Sequence, residues 1–290
     1  MNEPISRHVV VIVGGGAAGL TVAALLKAAQ ADLDIAVIEP SEHHYYQPAW
    51  TLVGGGAYAI EKTRRDTARH MPAGVTWIRE RAAGFDPEHN RVELASGARV
   101  EYRYLVVAVG LQLDWGRIEG LEATLGKNGV TSNYRYDLAP YTWECIRNLR
   151  GGQALFTQPV MPIKCAGAPQ KILYLAADHC RRERVDTRMH FFTPGPAMFG
   201  IPFYARALDE VFAHYGIQPH FSNNLVAVDG AARRATFEVT SGDSKQRIEQ
   251  PFDLLHVVPP QSAPDFIKAS PLADASGWIS VDKYSLRHTR

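Results

Sequence analysis

Cysteine is scarce in this chain: Cys145, Cys165 and Cys180 are the three in 290 residues. None sits close to another in sequence, which argues against a structural zinc or iron–sulfur site built from this chain's own thiols. The odd count argues against a disulfide framework and for a reducing compartment. An excess of charge of one sign is missing too. Lys and Arg total 31 against 30 Asp and Glu, so a net charge of +1 offers neither a strongly basic nucleic-acid surface nor an acidic tail. No uninterrupted apolar run approaches the roughly 20 residues that span a bilayer. The N-terminal MNEPISRHVVVIVGGGAAG sends its apolar run straight into glycines, which makes a poor signal peptide. What is present is an ordinary folded composition, 46% hydrophobic, over a length sufficient for two cores.

His8 to Val13 reads as a buried β-branched strand entering GGGAAG, and Leu20 to Gln30 as the helix that follows. Ile35 to Ile38 is a second strand, ending at Glu39. The stretch PSEHHYYQPAWTLVGGG is too rich in turn formers for one element and reads as a loop with a short helix before Gly54. Strands over 75–81, 91–94 and 100–109, with turns at DPEHN and SG, predict an antiparallel excursion. A second strand-loop-helix unit follows: a helix over 134–149, a strand over 154–157, an irregular Pro/Gly-rich loop to Pro169 and a helix over 170–180. Beyond it the pattern predicts a strand at 190–193, a helix over 202–215, a hairpin in LVAVDGAARRATFEV, a strand over 252–258 and a last strand in GWISVDKYSLRHTR.

Gly14, Gly16 and Gly19 have the G-x-G-x-x-G spacing between a strand and a helix. The first permits a tight turn, the second leaves room for a pyrophosphate, the third lets helix and strand approach, and the helix N-terminus faces the phosphates. Glu39, at the end of the next strand, is placed to accept hydrogen bonds from a ribose. The β excursion returning through YLVVAVG points to FAD over a plain NAD domain, with Gly110 letting backbone pass close to the cofactor. A user of NADH would carry a second glycine fingerprint after ALFT. Here that position holds QPVMPIKCAGAPQK, so electrons are not expected to arrive as hydride from NADH. The local sequence leaves Cys165 open between a small buried hydrophobe and a nucleophile, and Cys145 and Cys180, inside helices, default to burial. His43, His44, Tyr45 and Tyr46 lack a third ligand, so they read as packing and not as a metal site; no metal is expected anywhere.

GGGAAG, HYYQPAWTLVGGG, GVTWIRERAAGFDP, YLVVAVGLQLDW, ALFTQPVMPIKCAGAPQK and TPGPAMFGIPFYA together resemble the sulfide:quinone oxidoreductase family, in its mitochondrial-like branch, over almost the whole chain. The resemblance implies an α/β flavoprotein of the glutathione-reductase type with two Rossmann-like dinucleotide-binding domains. It divides the chain into 1–110, the main part of the FAD-binding domain; 111–260, a second Rossmann-like domain lacking a glycine fingerprint and carrying the cysteine loop; and 261–290, the start of an incomplete return to the first. It implies FAD contacts at Gly14, Gly16, Ala17, Ala18, Gly19, Glu39, Gln47, Ala82 and Gly110. It also makes Cys165 the catalytic half of a redox-active pair. Sulfide attacks the bridge of that pair, leaving a persulfide and a thiolate that reduces the flavin, and a ubiquinone-like quinone reoxidises it. Lys164 and Lys171 flank the site, either one able to favour the thiolate.

The implied partners are hydrogen sulfide, a quinone, a small thiol or sulfite as sulfur acceptor, and a second copy of the chain, with no nucleic acid. Peripheral seating on the cytoplasmic side of a membrane, the mitochondrial inner membrane in a eukaryote, is expected of the longer protein, whose partner cysteine lies beyond Arg290. The alternatives are a related flavoprotein, of the NADH:quinone or flavocytochrome c sulfide dehydrogenase type, and a non-catalytic persulfide carrier or fragment.

Overall fold

The computed structural model describes residues 4–289. Its contacts divide the chain into two units. Unit 1 takes the residues up to Tyr45, Arg64–Gln112 and those from Ser262 onward; unit 2 takes Tyr46–Thr63 and Leu113–Gln261. This corrects the continuous 1–110 block expected from sequence. The reason is steric: a Cβ on Gly55 would lie 2.6 Å from Leu175, and one on Gly56 2.5 Å from the Trp143 ring, so the triple glycine is a packing face of unit 2. The antiparallel pair His43–Tyr45 and Arg64–Asp66 marks where the chain leaves unit 1 and re-enters it.

Unit 1 is built on a six-stranded sheet in the order Val75–Ile78, Ile35–Ile38, Pro4–Val13, Arg99–Val107, Arg91–Leu94, Ala82–Asp86. The first four strands run parallel; Arg91–Leu94 is antiparallel to Arg99–Val107 and to Ala82–Asp86, so the expected antiparallel excursion is present, but Val75–Ile78 lies outside it on the parallel edge and the strand Ala82–Asp86 was not expected. Alternation along the central strand explains its unbroken apolar run. Val11 and Val13 pack with Val92, Ala263 and Ile267, whereas Val10 and Ile12 pack with Ile35 and with Ala23 of the helix Ala17–Ala29. The segment expected to add a last strand instead makes two isolated bridges, Ala273 with Ile279 and Val281 with His288.

Unit 2 holds a five-stranded parallel sheet ordered Val130–Thr131, Leu254–His256, Gly152–Thr157, Thr187–Thr193, Gln218–Phe221. Phe156 and Phe191 meet Ile172, Leu173 and Ala176 of the helix Ala168–Arg182 on one face. On the other, Phe192 stacks on Phe237 of an antiparallel three-stranded sheet with ring centroids 3.9 Å apart. The helix expected over 134–149 begins only at Ala139 and ends at Arg147, because Pro140 suits a first helical turn and not an interior. Residues 132–136 stay irregular, and Ser132 and Asn133 are buried.

Candidate functional site

In unit 1 the chain turns out of the central strand at Gly14, whose φ of +103° favours glycine. A Cβ there would strike the backbone at Ala108, with Ala108 C at 2.7 Å, and one on Gly19 would strike the Gly14 carbonyl. Gly16 differs: it is exposed at the N-cap of the helix Ala17–Ala29, and nothing lies within 4 Å of where its Cβ would stand. Ala17 and Ala18 follow it, also exposed, and the first turn carries no acidic residue. Glu39 is pinned at both oxygens, Oε2 accepting from the Gly15 N–H at 2.8 Å and Oε1 from the Ser41 N–H at 2.7 Å.

A groove of about 480 Å³ runs past Gly14, Glu39, Pro40, Arg81, Ala82 and Val109. Gly110, at φ +71°, is likewise open around its Cβ position. Open amides at a helix start, a fixed carboxylate and a groove beside both suit a dinucleotide's pyrophosphate and ribose, so these residues fit FAD.

The remaining two expected site residues lie elsewhere. Gln47 and Cys165 both belong to unit 2, where they line a cavity of about 240 Å³ with Trp50, Asn133, Tyr134 and Lys171. The loop carrying Cys165 is irregular because prolines at 159 and 162 remove donors. It is held at Lys164, whose N–H donates to Gln261 Oε1 at 2.7 Å and whose carbonyl accepts from the Tyr134 hydroxyl at 3.2 Å. Cys165 itself is exposed, in the left-handed region at φ +53°, a conformation that costs energy for any residue but glycine. Its carbonyl accepts from the Ala168 N–H at 2.8 Å, and this turn starts the helix bearing Lys171. Lys171 Nζ donates to Cys165 Sγ at 3.5 Å.

Lys164 Nζ donates to Gln47 Oε1 and lies 5.4 Å from the centroid of the Tyr134 ring; burial pulls its pKa down. Burial, and secondarily the charge Cys165 can carry, pushes the Tyr134 hydroxyl up. The other cysteines are unlike Cys165. Cys145 is half-buried, with burial raising its thiol to about 11, and Cys180 is buried with its thiol also pushed up. Cys180 lies about 18 Å along the helix axis from Ala168, and Cys145 lines a separate cavity with Tyr141 and Arg233, so neither faces Cys165.

The pyridine nucleotide-disulphide oxidoreductase family profile matches residues 8–141. The mitochondrial sulfide:quinone oxidoreductase of Dictyostelium discoideum is 44% identical over 286 residues, 97% of this chain and 62% of that protein. The mitochondrial sulfide:quinone oxidoreductase of Mus musculus is 39% identical over 287 residues, 98% of this chain and 64% of that protein. This chain is a homologue of the sulfide:quinone oxidoreductases. It thus spans a little under two thirds of the length of these relatives. The crystal structure of the Aquifex aeolicus sulfide:quinone oxidoreductase superposes with a TM-score of 0.79 at 22% identity, covering 94% of this chain and 64% of that one. Both units therefore have the FAD/NAD(P)-binding Rossmann-type fold of the homologues.

Several site residues escape sequence reasoning. Gly15 is one: its Cβ would stand 2.7 Å from Glu39 Cβ, so the glycine brings the backbone onto the carboxylate. Trp50 and Asn133 are others, brought to Cys165 by long-range packing that no local pattern encodes. The one available signal was the triple glycine at 54–56, which reads as a turn but serves as a contact surface for Asn133, Leu175 and Trp143.

Proposed function

We propose that this chain is the larger part of an FAD-dependent sulfide:quinone oxidoreductase, with Cys165 receiving the sulfide sulfur. One observation supports this reading above the rest: an exposed cysteine in a strained backbone conformation, with a lysine ammonium donating to its sulfur inside a cavity. Gly16, Ala17 and Ala18 at the helix start would hold the pyrophosphate, placed there by the turn at Gly14 and the close packing at Gly19, with Glu39 at a ribose, Ala82 and Gly110 close by and Gln47 steadying Lys164. FAD, when bound, supplies a two-electron acceptor that a quinone reoxidises.

The chemistry at Cys165 balances as follows. Hydrosulfide adds to a sulfur–sulfur bond at Cys165; that bond breaks, one sulfur keeps the incoming atom as a persulfide, and the other leaves as a thiolate with the electron pair. Lys171 would stabilise the negative charge on sulfur; once the outer sulfur has left, the two cysteine sulfurs would re-form their bond and release two electrons and two protons, for which bound FAD would supply the acceptor and a quinone the final sink. The partner sulfur is neither Cys145 nor Cys180, given their burial and placement. The persulfide sulfur then passes to a small nucleophile, a thiol or sulfite, and peripheral membrane seating and self-association belong to the same reading.

The test is an absorption spectrum of the purified chain with its flavin-to-protein ratio, before and after anaerobic sulfide. Near-stoichiometric flavin bleached by sulfide in the parent but not in Cys165→Ser is expected. A colourless chain that refuses added FAD would sink the reading. A second reading, a carrier of sulfane sulfur, is favoured by Cys165 being the exposed thiol of the three; bound flavin that sulfide leaves unbleached, with one sulfur added at Cys165 by mass, is its signature.

A further inference from the structure

Cys165 is exposed, and Nζ of Lys171 donates to its sulfur across 3.5 Å. The approach is built into the backbone. The Cys165 carbonyl accepts from the Ala168 N–H at 2.8 Å and the Gly167 carbonyl from the Lys171 N–H at 3.1 Å, so two successive turns fix both residues at the start of the helix Ala168–Arg182. The lysine side chain runs back over that start, with its Cε 3.8 Å from where a Cβ on Gly167 would stand. An exposed thiol oxidised by a peroxide becomes a sulfenic acid, which goes on to irreversible sulfinic acid unless a nucleophile condenses with it first. Neither of the other cysteines can serve. Cys180 is buried far along the helix, and Cys145 lines a separate cavity. The nucleophilic atom held against this sulfur is the amine of Lys171.

We infer that Lys171 captures oxidised Cys165 as a sulfenamide, a reversible sulfur–nitrogen bond that shields the thiol from irreversible oxidation. The oxidant is hydrogen peroxide. In the first step the Cys165 sulfur takes one peroxide oxygen: the S–O bond forms, the O–O bond breaks, the sulfur gives up two electrons, and the second oxygen leaves as water. In the second step Nζ of Lys171, its extra proton lost to solvent, attacks that sulfur; the S–N bond forms, the S–O bond breaks, and hydroxide leaves with a proton as water. One thiol, one amine and one peroxide give one sulfenamide and two waters. A small thiol reverses the bond by attack at sulfur, which returns the amine and leaves a mixed disulfide, and a second thiol then frees Cys165. Lys171 is exposed and its four-carbon stem is flexible, so side-chain rotation closes the remaining gap while the backbone stays in place. The inference requires neither flavin nor quinone, so a chain that fails to bind FAD tests it equally well.

The test treats the purified, reduced chain with stoichiometric hydrogen peroxide, alkylates it with iodoacetamide after denaturation and maps it with trypsin and mass spectrometry. Trypsin does not cut after a lysine whose nitrogen is bonded to sulfur. The parent should therefore yield an uncut peptide from Cys165 to Arg181, lighter by two hydrogens, with Cys180 alkylated and Cys165 not. Dithiothreitol before alkylation should restore both the cut at Lys171 and the Cys165 thiol. In Lys171→Arg, which keeps the charge, the cross-link should be absent and sulfinic acid at Cys165 should build up about threefold or more faster. The parent alone decides the matter. Sulfenic or sulfinic acid at Cys165 with Lys171 still cut overturns the inference, and so does a thiol that peroxide leaves untouched. A loss of two hydrogens that leaves the cut at Lys171 intact overturns it as well, being the mark of a disulfide to Cys180 or of a ring through the Ala166 nitrogen. A bond to Lys164 in place of Lys171 does the same.

Discussion

Two glycines two residues apart should fail in opposite ways when given a methyl group. Gly14→Ala asks alanine to adopt a φ of +103° and sets its Cβ 2.7 Å from Ala108 C and 3.0 Å from Val109 N. Both neighbours are backbone, and the Ala108 N–H is itself tied to the Val13 carbonyl at 2.8 Å, so the clash cannot be relieved by a rotamer. Strained backbone and overlap together cost about 3–5 kcal/mol, which lowers the melting temperature by roughly 10 °C. Gly16→Ala meets nothing within 4 Å and keeps an ordinary backbone, so its stability changes by no more than about 1 kcal/mol at an exposed N-cap. Its methyl group instead occupies the space left for a phosphate. Losing a charge-assisted hydrogen bond there, about 1.5–3 kcal/mol, weakens FAD binding by about 10- to 150-fold. Thermal melts of the two apo variants and FAD titrations by fluorescence separate the effects. If Gly16→Ala binds FAD as tightly as the parent, the phosphate site has been placed wrongly.

Lys171→Met removes the ammonium that donates to Cys165 Sγ; alkylation of Cys165 by iodoacetamide at neutral pH should slow about threefold to tenfold, read by mass spectrometry with the buried Cys180 as the internal control. Burial lowers the pKa of His256 to about 3. Because the folded chain keeps this imidazole neutral while the unfolded chain protonates it near 6.5, its contribution is complete above about pH 6.5 and is lost as pH falls toward 3. At pH 5 the loss from this one residue is about 2 kcal/mol, visible as a lower urea midpoint than at pH 7; a parent whose midpoint does not move across that interval would contradict the assignment. Gly54→Ala would set a methyl group 2.7 Å from Nδ2 of the buried Asn133 and should destabilise the chain by about 1–3 kcal/mol, read as a lower melting temperature; an unchanged melting temperature would refute the packing role of Gly54.

The strand-glycine-helix unit at the start of the chain is legible because every determinant is local: a β-branched run, glycines at the turn, then alanine and leucine. The helix Pro202–Tyr215 is equally local, opened by proline and closed by Gly216 in the left-handed region. The turn of the antiparallel excursion is legible from its residues, and Asn90 takes the left-handed φ of 54° that such a turn requires, but the strand Ala82–Asp86 leading into it was not read. What could not be read is non-local. The true start of the helix Ala139–Arg147 depends on Ser132 and Asn133 being buried in an irregular segment, and the helical character of Tyr134 to Leu138 hides that. The cavity around Cys165 draws on residues from 47 to 171, and the burial of Asn133 in its wall carries no mark in the sequence.

The excursion of residues 46–63 has a consequence for how the chain is made. Gly54 leaves the ribosome 79 residues ahead of Asn133, the side chain that packs on it. At about 5–20 residues per second, that is a wait of several seconds during which the triple glycine lacks its native neighbours Asn133, Trp143 and Leu175. Neither unit can be liberated by one cut in the gene, since the chain passes between them four times, at 45/46, 63/64, 112/113 and 261/262. A shortened gene ending near residue 112 would encode a first unit burdened with an apolar loop whose partners are never synthesised, and such a product should be a ready client for chaperones.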